Sequence, residues 1–264
     1  TAELTKTASV NKLAQPGIVA GMFGGQQCHI PLGAALPTMK IMRETPTFQT
    51  PGGDIIKEFT GHIIFWHNCN QYYAKPFGAG EEVSPPDCSS SDGIKPDGGD
   101  NKQSDLCPSC VNNQYGTDLK GGRGKACQNQ LRLYVLRDGD RIPCILKAGP
   151  ACLNRKDSLM CWLTNANNQG LDGAYQTIQA RFQLHTKKFD QFSASVLDVE
   201  TVRVLNPSSD ADTELLTRLS QLYNEFVKQY MGRIASDIAT EKNEETPSSS
   251  NAEQVGLASD DCPV

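Results

Sequence analysis

Apolar and polar residues alternate along much of the middle of the chain, which is the pattern of β-strands with one buried face. β-Branched and aromatic residues, which favour strands, are concentrated in the same segments. The segments that predict strands are residues 39–50 with a break near Pro46, residues 55–77, residues 131–148 and residues 175–205. The last two each predict a hairpin, the first of them turning at Asp138-Gly139. Residues 152–167, between the hairpins, predict a short helix.

The spacing of apolar residues changes to three and four after Pro207. Ten apolar residues between Leu215 and Ile234 form one wide stripe, which predicts an amphipathic helix within residues 207–239. We expect this helix to pack on the strands, and binding of a separate partner is the alternative. Residues 1–37 show no sustained period and residues 240–264 contain few apolar residues, so we predict a flexible arm and a disordered, acidic tail.

Paired strands, one helix between them and a polar stretch at residues 78–129 predict a mainly β (α+β) domain over residues 38–206. A small β-barrel or curled sheet meets that description, and the OB-fold, a five-stranded Greek-key barrel, is the specific form we expect. No apolar run approaches the ~18 residues of a membrane helix, and no basic region followed by an apolar one opens the chain. We therefore expect a cytoplasmic protein without a membrane partner.

Charge is distributed unevenly, although the net charge of −5 is modest. Residues 207–264 contain 11 acidic and 4 basic residues, a net of −7, which leaves +2 for residues 1–206. Residues 120–156 contain nine Lys or Arg and two Asp, a net of +7. A basic patch attracts polyanions, and an acidic tail can occupy that patch or recruit another protein. A solvated surface and a disordered end are the alternative explanation.

Ten cysteines without a secretion signal indicate metal binding more than disulfides. Cys107 and Cys110 form a C-P-S-C pair, whose two-residue gap lets both thiolates reach one ion. Cys88 precedes this pair (C-x18-C) and Cys127 follows it (C-x16-C), both in polar, Gly- or Ser-rich loops that cannot fill a core. We therefore predict one structural Zn²⁺ held by these four thiolates in a zinc ribbon within residues 78–129. A redox pair or spare thiols are the alternative.

No enzyme motif is present. The sequence contains no GxSxG and no HExxH, and GGRGK at residues 121–125 lacks the spacing of a P-loop. Acidic residues are scattered rather than grouped for metal-assisted chemistry. We expect a protein without catalytic activity, with a metal-dependent nuclease as an alternative.

Aromatic residues are interleaved with cations near the predicted barrel, the combination with which proteins stack bases and contact phosphates of single strands. The candidates are Trp66, Tyr72, Tyr73, Lys75, Tyr115, Lys120, Arg123, Lys125 and Arg132. Adjacent residues of a strand face opposite sides, so we expect Tyr72 or Tyr73 to be exposed. A core role for all the aromatics is the alternative, and it suits Phe65 and Phe77 best.

Three motifs carry a resemblance to a family. CSSSDG at residues 88–93, CPSCVNNQYG at residues 107–116 and GRGKACQN at residues 122–129 resemble an uncharacterised family of phage and mobile-element proteins. More distantly, a zinc ribbon inside an OB barrel is similar to the C-terminal DNA-binding domain of the replication protein A large subunit and to phage helix-destabilising proteins. The end, ASDDCPV, is similar in kind to bacterial single-strand-binding tails, but it carries Cys262 and ends in Val264 rather than in phenylalanine.

Together with the aromatic and basic residues, these resemblances imply a single-stranded DNA-binding protein of phage or mobile-element replication or recombination. It would bind without strong sequence preference, through a basic groove and stacking aromatics, with RNA as the alternative ligand. The acidic tail would recruit replication or recombination proteins. The alternative from a different class is a transcription or recombination accessory factor that acts mainly through protein contacts of the zinc ribbon.

Overall fold

Nine β-strands form one curled sheet in the computed structural model, which describes residues 36–42, 45–75, 84–119, 121–153, 158–188, 193–230 and 234–241. The strands are β1 (Thr38–Ile41), β2 (Phe48–Gln49), β3 (Ile55–Ile56), β4 (Glu58–Tyr72), β5 (Cys88–Ser90), β6 (Cys127–Arg137), β7 (Cys144–Ala148), β8 (Ile178–Lys188) and β9 (Ser193–Val204). The helices are α1 (Ser158–Gln169), α2 (Asp210–Tyr230) and α3 (Ile234–Thr240), with single-turn helices at Val111–Asn113, Pro150–Cys152 and Tyr175–Thr177. Nearly all of the predicted arm and tail lies outside the described residues.

The sheet is mixed and runs in the order β3-β2-β1-β7-β6-β4-β8-β9, with β5 also paired to β4. Neighbouring strands are antiparallel, except for β1 and β7, which are parallel. The path curls into a half-barrel, and its two ends, β3 and β9, do not pair with each other within the described residues. The predicted mainly β class and the curled sheet are therefore confirmed.

Strand β4 is the longest strand and organises the sheet. It pairs with β8 at residues 58–61, with β6 at residues 61–72 and with β5 at residues 70–72. The register with β6 shifts between Ile63 and Phe65, and such a bulge bends a strand and increases its twist. Gly61 allows the close approach of β6, because a Cβ atom there would lie 2.4 Å from the Leu136 carbonyl oxygen. The bent β4 thus carries one end of the sheet to β8 and the other to β5.

Helices cover both faces of the sheet, so β6 is buried on both sides along residues 131–136. On one side, the alternate residues Leu131, Leu133 and Val135 share a core with Leu159 and Trp162 of α1. On the other side, residues of β6 pack against the C-terminal helices in two clusters, Tyr134 with Phe226, Ile234 and Ile238, and Leu136 with Leu219. Both faces of β6 are therefore buried, unlike a strand that exposes alternate side chains to solvent.

The local predictions agree well with these elements. Strands β6 and β7 form the first predicted hairpin with its turn at Asp138-Gly139, and β8 and β9 form the second. The predicted short helix corresponds to α1, shifted a few residues towards the C-terminus, and the apolar stripe of α2 packs on the sheet as expected. None of the helices in the described ranges is both long enough and apolar enough to cross a membrane.

Candidate metal centre and nucleic-acid interface

The strand register places two of the predicted zinc ligands beside the same residue, Tyr72, one on each neighbouring strand. Cys88 begins β5 and Cys127 begins β6, and both are register partners of Tyr72 at the end of β4. The two cysteines lie 39 positions apart in the chain but are separated by a single strand in the sheet. The flexible, polar sequence between them is therefore held at both of its ends by the sheet.

The second pair of predicted ligands lies in a tight turn within this insertion. The Cys110 N–H donates to the Cys107 carbonyl (3.3 Å), and the Cys107 N–H donates to the Ile94 carbonyl (2.8 Å). Two side chains that follow the turn fasten it: Asn113 Nδ2 donates to the Cys107 carbonyl (2.8 Å) and Gln114 Nε2 to the Cys110 carbonyl (3.2 Å). Backbone and side-chain hydrogen bonds thus hold the turn in place independently of a bound ion.

All four predicted ligands line one cavity. Its wall consists of Asn70, Tyr72, Cys88, Ser89, Ser90, Pro96, Gln103, Ser104, Cys107, Cys110, Asn112, Asn113 and Cys127. The thiols are the only groups on this wall that commonly bind transition metals, because within the described residues it includes no His, Asp or Glu. Four sulfur donors suit zinc in a structural site.

Electrostatics favour a cation among these thiols. Burial, followed by repulsion from the neighbouring cysteine thiolates, raises the pKa of the Cys127 thiol to about 12. Burial, followed by the same neighbours, raises the pKa of Cys88. Among the described residues, no three or more His, Cys, Asp or Glu side chains are arranged closely enough to hold a metal ion. The match of the four cysteines to zinc therefore rests on their sulfur donors and on the cavity that they share.

Three of the predicted nucleic-acid contacts lie on the surface. Lys75 and Arg123 are exposed, and Tyr115 is 43% exposed. Lys125 is half-buried: its Nζ donates to Asn113 Oδ1 (3.3 Å) and Asn129 Oδ1 (3.2 Å) and lies 4.9 Å from the centroid of the Tyr115 ring. Burial lowers the pKa of Lys125. Lys120 lies outside the described residues.

The expectation that Tyr72 or Tyr73 is exposed is wrong. Their exposed fractions are 9% and 6%. Strand β4 ends at Tyr72, so the alternation that would turn the next side chain outwards does not extend to Tyr73. Tyr72 lines the cysteine cavity instead. Trp66 is half-buried and packs against the core on the α1 side of the sheet, so it also presents little surface for stacking.

Arg132 does not present its guanidinium on the surface while α3 lies against the sheet, because only 3% of its side chain is exposed. Its guanidinium forms an ion pair with Glu241, the residue that follows α3, and Lys147 forms another with the same carboxylate. Glu241 falls within the predicted disordered tail, and no local pattern in the sequence signals its long-range pairing with Arg132 and Lys147. A count of cations from residue 120 to residue 156 therefore overstates the free positive charge.

Exposed apolar side chains on the insertion, apart from Tyr115, were not predicted. Among the described residues, half of the large hydrophobic side chains that are exposed lie between residues 94 and 119, namely Ile94, Leu106, Val111, Tyr115 and Leu119. Val111 is 67% exposed, directly after the Cys107–Cys110 turn. The signal was present in the sequence as isolated apolar residues within a polar loop.

The chain matches no protein-family model, no curated protein and no solved structure.

Proposed function

We propose that the chain is a zinc-stabilised, non-catalytic protein that binds single-stranded nucleic acid, DNA in the first place, on the surface of its cysteine-bearing insertion. The observation that supports this best is the placement of an exposed ring, Tyr115, beside an exposed cation, Arg123. The Gly116 N–H donates to the carbonyl oxygens of Arg123 (2.9 Å) and Gly124 (2.8 Å), which joins their two loops. An aromatic platform next to a cation suits the stacked bases and the phosphates of a single strand.

The thiols of Cys88, Cys107, Cys110 and Cys127 would hold the zinc ion. Zinc bound in this way supplies no reaction chemistry and links the sheet to the turn of the insertion. The position of Tyr115 depends on that turn, because the preceding residues Asn113 and Gln114 are hydrogen-bonded to it. Metal binding and presentation of the ring are thus connected through three consecutive residues.

Lys125 acts as a positioning residue in this proposal. Its ammonium group lies against the Tyr115 ring, an attraction between a cation and the negative face of an aromatic system. The ammonium group thus holds the ring in place, and a base would stack on the part of the ring that is exposed. Since Asn113 and Asn129 accept hydrogen bonds from the same ammonium group, phosphate contacts fall to Arg123 and Lys75.

Several broader expectations stay proposals. We propose that the curled sheet is the counterpart of an OB-like barrel, although its nine strands and their order differ from the five-stranded Greek key. The relation to phage and mobile-element proteins and the recruitment of replication or recombination proteins by the tail rest on sequence motifs. A segment as acidic as residues 241–264 suits contacts with a basic partner surface.

A protein-binding role for the zinc ribbon is the second candidate. It is supported by the exposure of Ile94, Leu106 and Val111 on the same insertion, because exposed apolar side chains that cluster commonly mark an interaction site. The two roles are compatible only if they use different sides of the insertion. Val111→Asp would remove apolar contact without removing a cation or the Tyr115 ring.

The division of roles is tested by titrating a fluorescent oligo-dT with three variants at several salt concentrations. Arg123→Ala should weaken binding and flatten the slope of log affinity against log salt by about 0.7, since one phosphate contact is lost. Tyr115→Ala should weaken binding by about 1–3 kcal/mol with little change of slope, because stacking releases no counterions. Arg181→Ala, an exposed cation on β8, is the matched control and should change neither.

Equal effects of Arg123→Ala and Arg181→Ala would show that only net charge matters and would overturn the proposed site. If no variant and no wild-type protein binds oligo-dT, while Val111→Asp abolishes capture of a protein partner, the second candidate takes its place.

A further inference from the structure

Two cations lie directly opposite each other on neighbouring strands. Arg132 of β6 and Lys147 of β7 are register partners, and like charges in that relation repel unless an anion lies between them. The anion is the Glu241 carboxylate, which pairs with both. Gln71 of β4, one residue before Tyr72, completes the arrangement: its Nε2 donates to Glu241 Oε2 (3.3 Å) and to the Ile238 carbonyl (3.3 Å).

This arrangement has more donors than its occupant can satisfy. One carboxylate neutralises one of two cations, which leaves a net positive charge on the sheet. Arg132 is nearly completely buried, yet its Nε has no hydrogen-bond partner among the described residues. The set of Arg132, Lys147 and Gln71 therefore has the composition of a site for an anion with more oxygen acceptors or more charge than a carboxylate.

The segment that supplies Glu241 is short. Helix α3 has seven residues, and Ile234 and Ile238 attach it to the cluster that contains Cys69 and Tyr134. It also carries a cost, because Asp237 Oδ2 is buried without a hydrogen-bond partner in the described part of the chain. Departure of α3 would release that carboxylate to water together with Glu241.

We propose that Arg132, Lys147 and Gln71 form a phosphate-binding site that the chain's own Glu241 occupies at rest and that a backbone phosphate of single-stranded nucleic acid occupies when α3 leaves the sheet. This inference rests on the proposed function. It extends the binding surface from the insertion onto the sheet, since Gln71 adjoins Tyr72 on the wall of the cysteine cavity. Glu241 then competes with nucleic acid for the same donors.

The test compares Glu241→Gln with Glu214→Gln, an exposed position on α2 that changes the net charge equally. Glu241→Gln should bind oligo-dT about tenfold more tightly than Glu214→Gln at low salt, since one competing charge is removed from the site. The slope of log affinity against log salt should steepen by up to about 1.4, the value for two added cation–phosphate contacts on a single strand. Adding Lys147→Met, whose side chain is 34% exposed and tolerant of change, should remove the gain.

A measurement without nucleic acid separates this inference from the proposed function. Calorimetric titration with inorganic pyrophosphate should detect binding to Glu241→Gln and none to Glu214→Gln or to Glu241→Gln/Lys147→Met. If pyrophosphate binds in this way but no protein binds oligo-dT, the phosphate site stands and the proposed function fails. If Glu241→Gln binds both probes no better than Glu214→Gln, Glu241 is a structural ion pair only and the inference is overturned.

Discussion

Replacement of Cys107 by serine tests the metal centre, and the size of its effect follows from the protonation of the thiols. An ordinary cysteine has a pKa of about 8.5, so free thiols carry their protons at pH 6.5. Burial raises the pKa of Cys88, and burial together with the neighbouring thiolates raises the pKa of Cys127 to about 12. Zinc binds thiolates, so each bound zinc should release about four protons at this pH.

The sign and the slope of the pH dependence follow directly. Protons and zinc compete for the same sulfur atoms, so zinc affinity falls as pH falls, by up to about four powers of ten per pH unit. Cys107→Ser removes one thiolate, so the residual zinc binding should release about three protons and be much weaker. Cys161→Ser, a half-buried cysteine of α1 away from the cavity, is the matched control and should behave as wild type.

Calorimetric zinc titrations in buffers of different ionisation enthalpy count the released protons, and a chelator competition gives the affinity. Limited proteolysis should then cut the insertion of Cys107→Ser but not that of Cys161→Ser. Release of fewer than about three protons by the wild type would refute a site of four thiolates, because each thiolate contributes about one. Equal zinc affinity of the two variants would refute the assignment of Cys107.

Two further predictions concern the sheet and the start of α2. Phe182 is fully buried and stacks on Phe59 with ring centroids 4.7 Å apart. Phe182→Ala should therefore lower the free energy of unfolding, measured in urea titrations, by about 3–5 kcal/mol. Ile55→Ala, at an exposed position, should lower it by less than about 0.5 kcal/mol. A cost for Phe182→Ala as small as that of Ile55→Ala would contradict the β4–β8 pairing. Hydrogen bonds from Arg203, together with its positive charge, hold the pKa of the Asp212 carboxyl below its ordinary value. The ionised carboxylate therefore stabilises the fold fully at pH values above the ordinary pKa. This stabilisation is lost as the pH falls through the lowered pKa. Asp212→Asn should therefore lower the melting temperature at pH 7, and the deficit should vanish in acid; a deficit that is the same at both pH values would argue against the ion pair.

The hairpins could be predicted from the sequence because their paired strands are neighbours along the chain. Alternation over residues 131–148 and the Asp-Gly turn fix β6 against β7 without reference to the rest of the chain. The grouping of the cysteines was also predictable, because four thiols in largely polar loops that cannot fill a core have few other uses, and all four line one cavity. The parallel pairing of β1 with β7 joins segments about a hundred residues apart, and no local pattern encodes it.

The nucleic-acid contacts were harder to predict because exposure depends on the other layers of the fold. Alternation along β6 places Arg132 opposite the α1 core, but helices cover that second face as well. Only the position of Glu241 reveals that the guanidinium has a partner. Tyr73 escapes alternation because β4 ends one residue earlier. Tyr115 and Arg123 are exposed, as a contact would require, because loop residues depend less on the packing of layers.

A fluorescence titration of the wild-type protein with oligo-dT and with a duplex, at two salt concentrations, tests whether the surface around Tyr115 and Arg123 binds single strands. We expect tighter binding to the single strand than to the duplex, because only unpaired bases can stack on Tyr115, together with a loss of affinity at the higher salt concentration. Equal affinity for the two ligands, or no binding to either at low salt, would contradict the account.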